Sequence, residues 1–367
     1  MINPSANTLF YLLRIALGNK AECSLPADID WQSLIGLSFD QGVATIAVDG
    51  LQKLYELNPE LELALDKPEL EVQKYKWLGS TFQTENSYRN HLAAIASLAK
   101  LYSESGISMM LLKGYGLSLN YTVPEHRPAG DIDVYLSDWK AGDELIRSLG
   151  IKVEEGHEHH TTFNYHGQMV ENHYDFINTK AHRDAPKIEA KLKALAANGS
   201  REHLLPDGTK IFLPSANFNV IFLIRHLGQH FAGERITMRQ ILDYGLFLQE
   251  EGDSVNWDEI VPFIKEMGIW AFFNQINAIC EDYLGLHLAA IPATERNEGL
   301  EKRILEEVLH PEFAEEKPSG LIPVLAFKAR RWWHNRWKHP LVYDEWLLPM
   351  LLTLAWSHLR RIKTIKD

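Results

Sequence analysis

A short apolar run in the middle of this 367-residue chain opens with two acids, Asp131 and Asp133, separated by one isoleucine. Side chains on a strand alternate between its faces, so both carboxylates point the same way, about 7 Å apart along the chain. At an effective dielectric of about 20, their charges repel by about 2 kcal/mol. The pair therefore predicts a cation between the carboxylates, and Mg²⁺ is typically held by one or two carboxylates plus substrate phosphates.

The overall charge limits the classes of partner. The formal net charge is −12, whereas a general nucleic-acid binder needs a basic surface for its phosphate contacts. DNA is therefore not an expected partner. An acidic protein still binds a nucleotide where a few cations and a metal are focused in one cleft.

Neither the cysteines nor the apolar segments indicate export or a membrane. Cys23 and Cys280 are far apart and give no disulfide framework, which favours a reducing compartment. The apolar start of the chain lacks a basic leader and a cleavage site. The apolar stretch 346–356 is shorter than the roughly 20 residues that span a bilayer. We expect a cytoplasmic protein with no membrane partner.

The periodicity of apolar residues divides the chain into three regions. Residues 1–105 have helical spacing, including one long pattern from Pro68 to Ser105, and form a helical N-terminal region. Residues 106–214 contain short apolar runs and turn signals, which predict a small α/β core. Residues 215–367 return to helical spacing. The predicted fold class is α+β, with a small mixed sheet flanked by helical regions.

A later strand supplies the acids that a metal centre still needs. Phosphoryl transfer by two metals requires oxygen ligands that bridge both ions. The predicted strand 168–177 carries Glu171, His173 and Asp175 on one face by alternation. Glu171 is our first choice for the third carboxylate, with Asp175 as its rival. His173 either supports the metal ligands or is a packed core histidine.

These residues resemble a known family. A glycine after a strand, then Asp-x-Asp between apolar residues, then an acid on a later strand is typical of the polymerase-beta-like nucleotidyltransferase superfamily. Lys113-Gly114, Arg127, the run 130–134 and the run 170–174 resemble the group called uncharacterised nucleotidyltransferases. Two features depart from the superfamily: Tyr115 follows the glycine where Gly or Ser is common, and the gap between glycine and acids is longer.

The resemblance implies a twisted mixed sheet and transfer of a nucleoside monophosphate from an NTP, such as ATP, to a hydroxyl. It implies two Mg²⁺ ions, or Mn²⁺, as cofactors. The acceptor stays open among small molecules, RNA ends and proteins. The resemblance assigns catalysis and metal binding to Asp131, Asp133 and Glu171. The expected nucleotide-binding residues are Lys113, Gly114, Tyr115, Arg127 and Arg239.

Several of these residues have a simpler structural interpretation. Lys113 and Arg127 either contact phosphate or form ion pairs with the acid cluster. Arg239 and Asp243 have the i,i+4 spacing of a helical ion pair. His226 and His230 share that spacing, but no HExxH motif is present, which favours core packing or a contact beneath the active site. The four histidines of the 157–166 segment lack a standard zinc pattern and indicate a polar hairpin: His157, His159, His160 and His166.

Three functional hypotheses follow from the sequence. The first is an active metal-dependent nucleotidyltransferase. The second is a catalytically weak or inactive nucleotide-binding or regulatory module of the same fold, favoured by the missing serine after Gly114. The third is a toxin–antitoxin or defence-type modifier of RNA or protein. For the third, the only candidate contact surface is the stretch 327–337, rich in Arg, Lys and Trp.

Overall fold

The structure is a computed structural model and describes residues 3–18, 29–58, 71–180, 182–292, 295–313, 320–343 and 345. The predictions for Cys23 and for the apolar stretch 346–356 lie outside these residues. Within them, every helix is too short or too polar to cross a membrane. The cytoplasmic location and the three-region boundaries stay predictions.

The N-terminal part is helical, as the spacing of its apolar residues predicted. Asp30 caps the second helix by accepting a hydrogen bond from the amide of Ser33 at 3.0 Å. The fourth helix is a single 34-residue rod. The four helices are α1 (Pro4–Ala16), α2 (Trp31–Asp40), α3 (Ala44–Leu57) and α4 (Glu71–Glu104).

A six-stranded mixed sheet forms the centre, which confirms the α+β class. Its strand order is β3-β4-β2-β1-β6-β5. The elements are β1 (Met109–Leu112), α5 (Gly114–Ser118), β2 (Ile132–Leu136), α6 (Trp139–Ser148), β3 (His160–Tyr165), β4 (Gln168–His173), α7 (Ala185–Gly199), β5 (Arg201–Leu204) and β6 (Lys210–Leu213).

Three details differ from the sequence predictions. The helix α7 and the edge strand β5 were not predicted, and β5 is mostly exposed, so it lacks the apolar alternation that identifies a strand. Strand β4 ends at His173, four residues before the predicted end at Ile177.

Helices cover the sheet again after β6. They are α8 (Ala216–Gly233), α9 (Met238–Glu251), α10 (Trp257–Glu266), α11 (Trp270–Asp282), α12 (Glu298–Leu309), α13 (Leu321–Asn335) and α14 (His339–Val342). One hydrophobic cluster joins α8–α12 and α14 to α1–α3, so the helices before and after the sheet share a core.

The two faces of the sheet belong to different cores. Met110 and Leu112 pack into the cluster shared with the terminal helices, whereas Met109 and Leu111 pack against α4. This is the alternation expected of a strand buried on both faces. On β2, Val134 packs on the α4 side, so Asp133 faces the terminal helices.

The segment before β2 is anchored to the N-terminal helices through His126. Its Nδ1 lies 2.7 Å from a carboxylate oxygen of Asp49 on α3, and its Nε2 lies 3.2 Å from Glu85 on α4. Its carbonyl accepts a 2.6 Å hydrogen bond from the Thr45 hydroxyl. These contacts fix the start of the segment that leads into β2.

The close approach of α1 and α3 gives the first test. A methyl group at Gly50 would overlap the carbonyl group of Leu12. We expect Gly50→Ala to lower the free energy of unfolding by about 1–3 kcal/mol, measured by urea denaturation. Gly36→Ala on α2 is the matched control, because nothing lies within 4 Å of the added atom. Equal stability of the two variants would contradict the packing described.

Candidate functional site

Three carboxylates meet at the centre of the sheet. Asp133 on β2 is the register partner of Glu171 on the parallel neighbour β4, and Asp131 lies just before β2. All three line a cleft of about 380 Å³ between the sheet and helices α8 and α9. The backbone pairing thus brings together Asp133 and Glu171, which are 38 residues apart in the chain.

Two positively charged or hydrogen-bonding groups compensate the buried Asp133. The Lys113 ammonium lies 2.8 Å from its Oδ1, and the His173 Nε2 lies 3.2 Å from the same atom. Burial alone would raise the pKa of Asp133, but Lys113 and His173 outweigh it and hold that pKa well below its usual range. Asp133 is therefore a carboxylate at neutral pH.

The negative charges of the other two acids, Asp131 and Glu171, are offset to different degrees by their neighbours. Burial, Glu171 and Asp133 together raise the pKa of Asp131, and Lys113 opposes the shift only partly. Glu171 is also penalised by burial, but its 3.4 Å contact with His173 leaves its pKa lowered. An oxygen cluster with a residual repulsion at Asp131 fits a hard divalent cation such as Mg²⁺ or Mn²⁺.

The strand end separates Glu171 from its rival Asp175. Because β4 ends at His173, Asp175 no longer follows the alternation of the strand. Its carboxylate pairs with Lys193 on α7 and does not line the cleft. The geometry therefore favours Glu171 as the third carboxylate.

The turn after β1 has an unusual backbone. Lys113 has φ 48° and Gly114 has φ 44°, and both line the cleft. A lysine rarely adopts this left-handed region, which costs of order 1–3 kcal/mol and is typical of functional sites. The conformation directs the Lys113 ammonium onto Asp133.

Arg127 lines the cleft but is already paired. Its guanidinium forms two hydrogen bonds to Asp243 on α9, at 2.8 Å and 2.9 Å. Tyr121 donates a third hydrogen bond to that carboxylate at 2.6 Å. Arg127 therefore forms an ion pair, as one of its two interpretations predicted. Its partner is Asp243 and not Asp131 or Asp133.

Of the two other predicted nucleotide-binding side chains, Arg239 lines the cleft and Tyr115 does not. Arg239 lines the cleft, is partly exposed, and lies 3.6 Å from Asp243, so it remains accessible to a nucleotide. The position of Tyr115 argues against its predicted role in nucleotide binding. Its ring packs against Tyr88, and its hydroxyl lies 3.3 Å from His203 on β5. Its side chain is buried away from the cleft and contributes nothing to its lining.

Histidines form a large part of the cleft wall. The sequence allowed a contact beneath the site for His226 and His230 and indicated none for His159 and His160. His159 and His160 on the β3–β4 hairpin and His226 and His230 on α8 all line it. Burial lowers the pKa of His159 to about 3 and that of His160 to about 4. Burial, helped by Lys113, also holds the pKa of His226 well below its usual range. These three rings are neutral at pH 7.

The basic, tryptophan-rich stretch at 327–337 is only partly packed, whereas the lysine that follows it is buried. Lys338 is 1 % exposed and pairs with Glu307 at 2.8 Å. The Arg303 guanidinium lies 3.8 Å from the ring centre of Trp337. Trp333 is 62 % exposed. The Arg336 guanidinium lies 4.3 Å from the centre of this exposed ring, so one arginine–tryptophan pair faces the surface.

A family model matches most of the chain. A family model described as "Uncharacterised nucleotidyltransferase" matches residues 27–285, which include the whole sheet and the cleft. The chain therefore belongs to the uncharacterised nucleotidyltransferase family. Comparison with curated proteins gives no match.

One solved structure is similar to part of the chain. It is the crystal structure of an antigenic nucleotidyltransferase-like protein from Paracoccidioides brasiliensis, at 15 % sequence identity and a TM-score of 0.32. The similarity covers 44 % of this chain and 77 % of that one.

The Arg127–Asp243 pair gives a stability test. Asp243→Ala leaves a buried guanidinium without its partner, so we expect a loss of about 3–5 kcal/mol in the free energy of unfolding. Arg239→Ala is the control, because it removes only the longer, partly exposed contact and should cost less than about 1 kcal/mol. Urea denaturation measures both, and equal losses would contradict the dominant role of Arg127.

Proposed function

We propose that this protein transfers a nucleoside monophosphate from an NTP to a hydroxyl acceptor. Asp131, Asp133 and Glu171 would hold divalent ions, Mg²⁺ or Mn²⁺, at the centre of the sheet. Such ions, when bound, would neutralise phosphate charge and activate the attacking hydroxyl. Membership of a nucleotidyltransferase family supports the reaction class.

The observation that carries the proposal is the register of β2 and β4. Asp133 and Glu171 are paired across parallel strands, and Asp131 lies two residues before Asp133 on the same side. Burial and neighbouring negative charge raise the pKa of Asp131. A fold that concentrates acids against their mutual repulsion supports a cation-binding role.

The remaining residues of the cleft have distinct roles in this proposal. A metal ion bound at Asp133 would neutralise the carboxylate that Lys113 now neutralises. The Lys113 ammonium would then be free to move to a phosphate. Gly114 would let the backbone approach the triphosphate, because it lines the cleft and carries no side chain. Arg239 would contact phosphate or base. Arg127 would position this wall through Asp243.

A second candidate is a nucleotide-binding module without catalysis. The 2.8 Å pair between Lys113 and Asp133 favours it, because the lysine already occupies the carboxylate that a metal would use. This candidate predicts nucleotide binding without release of pyrophosphate. An assay of nucleotide binding and of pyrophosphate release therefore distinguishes this candidate from an active transferase.

The test follows the label from α-³²P-labelled NTPs in the presence of Mg²⁺ or Mn²⁺ and a cell extract. We expect transfer by the wild type and a loss of at least about 100-fold in Glu171→Gln, because the variant removes a charged ligand of the ions. Asp175→Asn is the matched control and should keep its activity, because Asp175 lies outside the cleft.

Each contrary result has a defined meaning. Equal activity of wild type and Glu171→Gln would contradict the assigned carboxylates. Thermal stabilisation by an NTP and metal without any labelled product would support the second candidate. If no NTP stabilises the protein and no label is transferred, both candidates are wrong.

A further inference from the structure

Three histidines on one wall of the cleft form a compact group. His159 and His160 come from the start of β3, and His173 is the register partner of His160 on β4. Their ring centres are separated by 4.6 Å (159–160), 5.2 Å (160–173) and 5.5 Å (159–173). One nitrogen of each ring lies within 4.8 Å of one nitrogen of each of the others.

These separations fit three imidazoles around one ion. With a Zn–N distance of about 2.0–2.1 Å and tetrahedral angles, the ring centres around a shared ion lie about 5 Å apart. The observed values bracket that distance.

Two of the rings have a nitrogen with no competing partner. The Nδ1 atoms of His159 and His160 are buried and make no hydrogen bond to any described residue. A buried polar atom without a partner destabilises the fold, so the arrangement needs a reason. The backbone fixes the position of His159, because its carbonyl accepts hydrogen bonds from the amides of Tyr174 and Asp175, both at 3.1 Å.

We propose that His159, His160 and His173 bind one transition-metal ion of the Zn²⁺ class, adjacent to the ions proposed at the carboxylates, because His173 also contacts Asp133 and Glu171. Imidazole nitrogens suit Zn²⁺ and similar ions, whereas Mg²⁺ prefers oxygen ligands. Three protein ligands leave a coordination position open, as in catalytic zinc sites. Glu171 borders this position, since its carboxylate lies 3.8 Å from His160 and 3.4 Å from His173. The proposal does not depend on nucleotidyl transfer.

The other two histidines of the hairpin are not ligands in this proposal. His157 stacks on the His160 ring, with centres 4.6 Å apart, and does not line the cleft. His166 lies exposed at the turn between the strands. They therefore provide internal controls on the same hairpin.

The experiment uses the full chain stripped with a chelator and then titrated with Zn²⁺ in excess Mg²⁺. We expect one equivalent of Zn²⁺ with a dissociation constant below about 1 µM. Substitution with Co²⁺ should give the visible absorption bands of a four-coordinate nitrogen site. His160→Gln and His159→Gln should each weaken binding by at least about 100-fold, because each removes a ligand.

Two controls separate this site from its neighbours. His166→Asn should leave Zn²⁺ binding unchanged, since Asn tolerates the left-handed φ of 51° at this position. Asp131→Asn should also leave it unchanged. The proposal is overturned if the wild type retains no stoichiometric Zn²⁺. It is also overturned if both histidine variants keep the Zn²⁺ affinity of the wild type. The wild-type result stands even if a histidine variant fails to fold.

Discussion

Mutual repulsion among Asp131, Asp133 and Glu171 is the constraint on which the rest of the cleft depends. Parallel pairing of β2 and β4 forces the carboxylates of Asp133 and Glu171 together. The fold offsets the charge of Asp133 with Lys113 and His173, and it leaves Asp131 with a raised pKa. The left-handed backbone at Lys113 serves this compensation, because it directs the ammonium to the most deeply buried carboxylate.

The opposite wall of the cleft depends on one buried ion pair. Arg127 belongs to the segment that leads into β2, and Asp243 belongs to α9 in the C-terminal part of the chain. A bidentate pair of this kind fixes both the distance and the orientation of its partners. The N-terminal helices hold the same segment through His126. The acid cluster is thus connected to both helical regions by contacts on adjacent residues.

The sequence was sufficient to predict which acids lie near one another, but it did not predict the contacts of the side chains around them. Alternation and apolar runs identified β1, β2 and β4, and therefore Asp133 and Glu171. Alternation could not exclude Asp175, because the end of a strand depends on tertiary contacts such as the Lys193 pair. The partner of Arg127 is 116 residues away, a separation that no local pattern encodes.

The sequence predicted the hairpin that carries His157–His166 but not the pairing of its His160 with His173 on the next strand. His166 and Gly167 both have positive φ, which is the two-residue turn that fixes a hairpin register. That turn pairs Tyr165 with Gln168, and therefore His160 with His173. Since a His-Gly turn is less typical than Asn-Gly, the spacing alone did not reveal the pairing.

A crystal structure with Mn²⁺ and a non-hydrolysable NTP tests the central claim most directly. We expect anomalous density for Mn²⁺ between Asp131, Asp133 and Glu171, with the Lys113 ammonium moved from Asp133 to a phosphate. An ordered nucleotide in the cleft, with no Mn²⁺ at these carboxylates and Lys113 still paired with Asp133, would contradict it.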